Sequence, residues 1–232
     1  MKIASNHAKP KLRDRNPVLL IHGITDTIAV FQGMATYLSA QGWSVHSFNL
    51  IPNNGDLSLD QLAAQVSDYV AKTFDPKQPI DVIGFSMGGI VSRYYIQRLG
   101  GIDRVQRYIS ISAPNHGTLA AHLSWRPGCI QMRPDSEFLR DLNRDASMLE
   151  RLNFTVMWTP YDLMIVPARS SQMPVGKEVI VPARLHAWML TDERCLKAVA
   201  AALSEPVLEA DSKTVASPNL VANSNLPTPF LL

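Results

Sequence analysis

The sequence predicts an α/β fold in which a mostly parallel central sheet is flanked by helices on both faces. Short apolar runs of strand length alternate with segments that have the 3.6-residue apolar spacing of helices. The 232 residues, 46% of them hydrophobic, suffice to bury one large core. In such folds the carboxyl ends of the strands meet at one edge of the sheet, where ligands bind. We therefore expect a single domain whose functional site lies at these strand ends.

Two strands and two helices are predicted before residue 79. They are, in order, a strand at 17–21, a helix at 30–40, a strand at 43–48 and a helix that begins near residue 58. Gly42 marks the end of the first helix. Ser58 and Gln61 have the spacing of a capping box, and apolar residues recur on one face of the segment that follows.

Residues 79–89 are the most informative segment. An apolar strand runs directly into the pattern Gly84-x-Ser86-x-Gly88, and a helical pattern follows without a break. The glycines on either side let the chain turn sharply from strand to helix, which presents Ser86 above the sheet at a helix N-terminus. We call this turn, residues 84–88, the elbow. The alternative is that Ser86 merely caps the helix, as serines often do. The rest of the chain has to distinguish a nucleophile from a cap.

Three more strands are predicted after this helix, which Gly100 and Gly101 end. They cover residues 105–112, 154–158 and 178–181. A last helix is predicted after His186 and closes the domain.

A nucleophilic serine needs a base, and the base needs an acid that orients it. In sheets of this kind the partners follow the serine in the order acid, then histidine. His186 comes after the strand at 178–181, and Asp162 comes after the strand at 154–158. The alternatives are a histidine that caps the last helix and an aspartate that binds its own turn. We expect Asp162 to accept the Nδ1 proton of His186.

A tetrahedral intermediate needs backbone N–H donors for its negative charge. One candidate is Met87 N–H, directly after the serine at the start of a helix. The other is Ile24 N–H, in the loop after the first strand, where Gly23 permits an unusual backbone conformation. We expect His22 to hold this loop by hydrogen bonds.

Together these segments resemble the α/β-hydrolase superfamily and, more narrowly, the small bacterial triacylglycerol lipases and esterases of the Bacillus lipase type. The resemblance covers about residues 16–203. It implies the α/β-hydrolase fold, Ser86 as nucleophile, Asp162 and His186 as its partners, and no cofactor or metal. It also implies that Ile24 and Met87 supply the oxyanion hole.

The expected function is that of a serine carboxylester hydrolase, a lipase or esterase. Apolar residues near the elbow, namely Phe85, Met164 and Ile165, suggest that the substrate carries an acyl chain. Acyl transfer and thioester cleavage use the same triad and remain alternatives, as does a non-catalytic lipid-binding module. The expected partner is an acyl ester or lipid, with transient contact with a lipid interface. The small net charge of +2 gives no footprint for nucleic acid.

The domain is predicted to span residues 17–204. A basic segment at 1–16 is expected to be poorly structured, and a tail at 205–232 to be flexible. The stretch 114–150 is either a lid over the site or a crossover packed into the core. Cys129 and Cys195 are expected to be free thiols, and no segment reaches the roughly 18 apolar residues of a membrane span. We therefore expect a cytoplasmic protein, unless the sequence lacks a leader.

Overall fold

A computed structural model describes residues 15–208 of the chain. The predicted basic segment, up to residue 14, and the predicted tail, from residue 209, lie outside the described residues.

The centre of the described chain is a six-stranded sheet in which every neighbouring pair of strands is parallel. The strands are β1 (Val18–Ile21), β2 (Val45–Ser47), β3 (Ile80–Phe85), β4 (Val105–Ile111), β5 (Asn153–Trp158) and β6 (Lys177–Ile180). Their spatial order is β2-β1-β3-β4-β5-β6. Ile21 pairs with Gly84. Because β1 and β3 thus end side by side, the loops that follow them meet at the centre of the sheet.

Helices cover both faces of the sheet, as predicted. The helices are α1 (Gln32–Ala40), α2 (Leu59–Thr73), α3 (Met87–Arg98), α4 (Pro127–Gln131), α5 (Glu137–Arg144) and α6 (Glu193–Ser204). Leu19 and Ile21 point to the face that packs against α2 and α3, whereas Val18 and Leu20 point to the face covered by α1 and α6. This alternation along one strand is what a sheet buried on both sides requires.

Most predicted boundaries agree with the structure to within two residues. Residue 58 precedes α2, and its N–H donates to Gln61 Oε1 at 3.3 Å, as the capping box predicts. The predicted helix at 30–40 starts instead with a 3₁₀ turn at Ile28–Phe31, and α1 follows it. The strand predicted at 43–48 is shorter at both ends, because only Val45–Ser47 pair with β1.

The two halves of the stretch 114–150 differ in burial. Leu139 and Leu142 of α5 and the later Leu149 are buried in the core, so this half is a packed crossover. Leu123 and Trp125, in the first half, are instead among the most exposed apolar side chains of the described chain. Whether the first half moves as a lid stays a prediction.

Both cysteines are free thiols, as expected, and both are buried. Burial raises the pKa of the Cys195 thiol to about 12. Among residues 15–208, no helix is long and apolar enough to span a bilayer.

Candidate active site

The turn between β3 and α3 holds Ser86 in a backbone conformation that L-residues rarely adopt, with φ 55° and ψ −125°. Two close approaches make this turn possible. A Cβ on Gly84 would lie 2.6 Å from Gly89 Cα, and a Cβ on Gly88 would lie 2.2 Å from the Ile21 carbonyl oxygen. The turn therefore needs glycine at both positions, and it is strained at the serine between them. A helix cap alone does not require such strain.

Asp162 and His186 form the hydrogen bond that the sequence predicts, with 2.7 Å between Asp162 Oδ2 and His186 Nδ1. The other carboxylate oxygen, Oδ1, accepts the backbone N–H groups of Met164 and Ile165, each at 2.9 Å. The Asp162 side chain is 1% exposed and that of His186 12% exposed. Both carboxylate oxygens accept hydrogen bonds, so the orientation of the carboxylate is fixed. Because His186 donates through Nδ1, its Nε2 points away from Asp162.

The loop after β1 brings Gly23 against Ser86. A Cβ built on Gly23 would lie 3.1 Å from Ser86 Cβ and 3.5 Å from Ser86 Oγ. On another side of the elbow, the Phe85 ring packs against the His186 ring with 4.8 Å between centroids. Within residues 15–208, no hydrogen bond joins Ser86 Oγ to His186. Ser86, Asp162 and His186 therefore lie at the same edge of the sheet, and a hydrogen bond joins only Asp162 and His186.

Of the two predicted oxyanion donors, Met87 directly follows Ser86, and Ile24 directly follows Gly23, which packs against Ser86. Met87 begins α3, so its N–H has no acceptor one turn earlier in the helix. Ile24 N–H has no acceptor among the described residues, whereas the next amide, Thr25 N–H, donates to Asn53 O at 2.9 Å. Two backbone donors thus remain available near the serine.

His22 is buried, and both of its ring nitrogens form hydrogen bonds within the loops around it, in line with the predicted role. Its Nδ1 donates to Gly23 O at 2.9 Å, and its Nε2 accepts Leu50 N–H at 3.0 Å. These bonds use both ring nitrogens to hold the loop after β1 and leave neither of them free for proton transfer.

Asp26 is an ionisable group near the elbow that the sequence reasoning did not single out. A Cβ built on Gly23 would lie 2.8 Å from Asp26 Oδ2, and the same atom would contact Ser86. Burial raises the pKa of the Asp26 carboxyl, and His22, His186 and the Gly23 amide partly offset this rise. The sequence signal was an acid three residues after the glycine of the loop. Nothing in the sequence alone placed its side chain beside the serine.

The three predicted substrate contacts differ in exposure. Phe85 and Ile165 are each 3% exposed, whereas Met164 is 54% exposed. Phe85 packs against the His186 ring, and contact of these three residues with substrate stays a prediction. No group of metal-binding side chains occurs between residues 15 and 208.

Several solved structures with this architecture are named as lipases or hydrolases. The chain is similar to a mature lipase from Bacillus licheniformis, with a TM-score of 0.68, 13% identity, and 85% of this chain and 94% of that chain covered. It is similar to lipase B from Aspergillus fumigatus, with a TM-score of 0.69 and 16% identity over 87% of this chain and 55% of that chain. A pyrethroid hydrolase from Sphingobium faniae gives a TM-score of 0.58 at 17% identity, over 83% and 98% of the two chains. The protein therefore has the α/β-hydrolase fold.

The sequence defines the family more narrowly. A profile of the palmitoyl protein thioesterase family matches residues 17–133, which include the loop after β1, the elbow and α3. The chain belongs to the palmitoyl protein thioesterase family, and it is a hydrolase.

Proposed function

We propose that the protein is a serine carboxylester hydrolase that forms an acyl-enzyme on Ser86. The observation that carries this proposal is the Asp162–His186 pair, in which a carboxylate bound at both oxygens fixes the imidazole beside the elbow. A strained serine and a base held in one tautomer at the same edge of a sheet are what nucleophilic catalysis needs.

In the first half-reaction Ser86 Oγ attacks the carbonyl carbon of the substrate while His186 Nε2 takes the hydroxyl proton. The carbonyl π electrons move to the oxygen, whose negative charge Ile24 N–H and Met87 N–H stabilise. When the tetrahedral intermediate collapses, the bond to the leaving group breaks and His186 returns the proton to that group. Asp162 stays ionised and stabilises the imidazolium.

In the second half-reaction water takes the place of the leaving group. His186 removes a proton from the water, whose oxygen attacks the acyl carbon, and the acid is released as the proton returns to Ser86. An alcohol in place of water would give acyl transfer with the same residues. Analysis of the products in the presence of an alcohol distinguishes the two reactions.

Thioester cleavage is the second candidate, and membership of the palmitoyl protein thioesterase family favours it. The same steps apply with a sulfur leaving group. Comparing kcat/KM for matched S-acyl and O-acyl substrates of equal chain length identifies the preferred bond. A ratio that favours the S-acyl substrate would assign the enzyme to thioesters.

The test is turnover of p-nitrophenyl esters and acyl thioesters of increasing chain length by the wild-type protein and by Ser86→Ala. We expect wild-type turnover and a loss of about 10⁴-fold or more in kcat for Ser86→Ala. Ser92→Ala is the matched control, because Ser92 is buried on the same helix and donates only to Gly88 O at 2.7 Å. No wild-type turnover of any substrate would instead favour a non-catalytic lipid-binding module.

A further inference from the structure

Exposed apolar side chains are concentrated on the loops that follow β4, β5 and β6. We call these residues the apolar rim: Leu119, Leu123, Trp125, Ile130, Leu163, Met164, Leu185 and Trp188. Leu123 is 90% exposed, Trp125 81% and Leu163 77%. Single exposed apolar residues are normal on a soluble protein, but a group at one edge marks an interaction surface.

Hydrogen bonds join these loops into one surface. Leu119 N–H donates to Val166 O at 2.9 Å, and Thr118 Oγ1 donates to Met164 O at 2.8 Å. The bond between Asp162 and His186 connects the loop after β5 to the loop after β6. The apolar rim thus adjoins the candidate active site instead of lying on an unrelated face.

The same loops carry more arginines than acids, and their three acids are Asp135, the buried Asp162 and Asp192, which is paired with Arg194. Residues 113–134, 163–176 and 182–191 contain no Asp or Glu, although the whole chain has 20 acidic residues. They contain four arginines: Arg126, Arg133, Arg169 and Arg184. Arg126 is paired with Asp56 at 3.3 Å, and the Arg133 guanidinium lies 4.6 Å from the Trp125 ring centroid. Exposed apolar groups mixed with an excess of arginines complement a surface that is apolar inside and anionic outside.

We propose that the apolar rim docks onto an anionic lipid bilayer, with its apolar side chains among the acyl chains and its arginines at the lipid phosphates. Docking would place the elbow at the membrane surface, where acyl substrates are held. The docking itself does not depend on catalysis, and only its purpose rests on the proposed function. The test therefore uses the full chain carrying Ser86→Ala, so that a failure of docking and a failure of hydrolysis are observed separately.

The experiment is co-sedimentation with vesicles of phosphatidylcholine alone and of phosphatidylcholine with about one third phosphatidylglycerol. We expect binding to the anionic vesicles, weakened by salt. Leu123→Ser combined with Trp125→Ser should reduce the partition coefficient at least about tenfold. Both side chains are largely exposed, so the fold should tolerate these changes. Leu99→Ser is the control, because Leu99 follows α3 at the opposite edge of the sheet.

The charge contribution is tested with Arg169→Gln combined with Arg184→Gln. Each arginine lost should weaken binding to anionic vesicles about fivefold, with little change on phosphatidylcholine alone. Lys77→Gln, in the exposed turn before β3, should leave binding unchanged. The proposal would be overturned by absence of binding to either vesicle, or by equal binding of the rim variants and their controls. Binding of the rim to an acylated peptide or to a second copy of the chain, without binding to vesicles, would also overturn it.

Discussion

At the residue scale, Asp162 has the most constrained environment of the candidate site. Two backbone N–H groups hold one oxygen, and the imidazole of His186 holds the other. The two amides belong to Met164 and Ile165, so the local chain fixes one oxygen of the carboxylate and leaves the other to His186. The role of Asp162 can therefore be tested with a substitution that keeps the shape of the side chain.

Asp162→Asn should reduce kcat by roughly 10⁴-fold. The backbone N–H groups of Met164 and Ile165 require an oxygen at Oδ1, so the new amide nitrogen must face His186 Nδ1. That nitrogen donates, which favours the tautomer with the proton on Nε2, and this tautomer cannot accept the proton of Ser86. The measurement is steady-state hydrolysis of a soluble ester. A variant within tenfold of wild type would show that the pair is structural.

Asp26→Asn should raise the Tm at pH 7. Because burial raises the pKa of Asp26 in the folded protein above its ordinary value of 3.8, protonation favours the folded state. Stability is therefore lost as pH rises through the folded pKa, and an uncharged side chain avoids this loss. The gain in Tm should shrink as pH falls towards 3.8.

Asp192→Asn is the control, because the pKa of Asp192 is shifted in the opposite direction to that of Asp26. The hydrogen bonds and charge of Arg194 lower the pKa of Asp192 to about 2, so its contribution to stability is present at neutral pH. It is lost as pH falls through that value. The Asp192 variant should therefore have a lower Tm than wild type at pH 7. A lower Tm for Asp26→Asn as well would contradict the pKa assignment of Asp26.

At the element scale, the elbow depends on how closely α3 approaches the end of β1. The Cβ of an alanine at position 88 would lie 2.2 Å from Ile21 O and 2.5 Å from His22 O, and both atoms belong to the backbone. Neither atom can move without displacing the strand end that leads into the loop after β1. The geometry of Ser86 and that of the loop after β1 are therefore coupled.

Gly88→Ala should destabilise the protein by about 1–3 kcal/mol, or prevent its folding, and should impair activity in whatever protein folds. Gly33→Ala is the matched control, since a Cβ there would meet only Thr191 Cγ2, at 3.9 Å, and Gly33 lies within α1. That change should be neutral or stabilising by up to about 1 kcal/mol. Urea unfolding of both variants measures the difference, and equal effects would contradict the close approach.

Arg93, on the same helix, is fully buried and joins three elements without a carboxylate partner among the described residues. Its guanidinium donates to Gln97 Oε1 at 3.2 Å, to Asn115 Oδ1 at 3.3 Å and to Asn143 Oδ1 at 2.9 Å. Burial lowers its pKa to about 10, so it remains charged at neutral pH. The arginine thus fastens the elbow helix to the loop after β4 and to α5.

Arg93→Ala should cost at least about 2 kcal/mol of unfolding free energy, because it leaves buried amide oxygens without donors. Arg140→Ala, on the exposed side of α5, should change stability by less than about 0.5 kcal/mol. Chemical denaturation of the two variants is the measurement. A loss of similar size in both would show that the buried network contributes little.

At the scale of the whole molecule, the parallel sheet and the order of its elements follow from patterns that are local in sequence. The run of apolar residues before Ser86 and the capping box at Ser58 each predicted an element that the structure contains. The positions of Asp162 and His186 followed from chain order alone, because every strand of a parallel sheet ends at the same edge.

What the sequence could not provide were contacts between distant segments. Arg93 reads as an ordinary polar position of a helix, and only packing against Asn115 and Asn143 shows that it is a buried anchor. In the sequence Asp26 is an ordinary loop aspartate. In the structure the Asp26 carboxylate and Ser86 both lie against Gly23. The exposure of Leu123 and the burial of Leu142 likewise depend on which half of the stretch 114–150 packs against the core.

The central claim, that Ser86 is the nucleophile of this hydrolase, is tested most directly by covalent labelling with a fluorophosphonate probe followed by peptide mapping. We predict that the wild-type protein and Ser92→Ala are labelled on the peptide that contains Ser86, and that Ser86→Ala is not labelled. Absence of label on the folded wild-type protein, or label that persists in Ser86→Ala, would contradict the account.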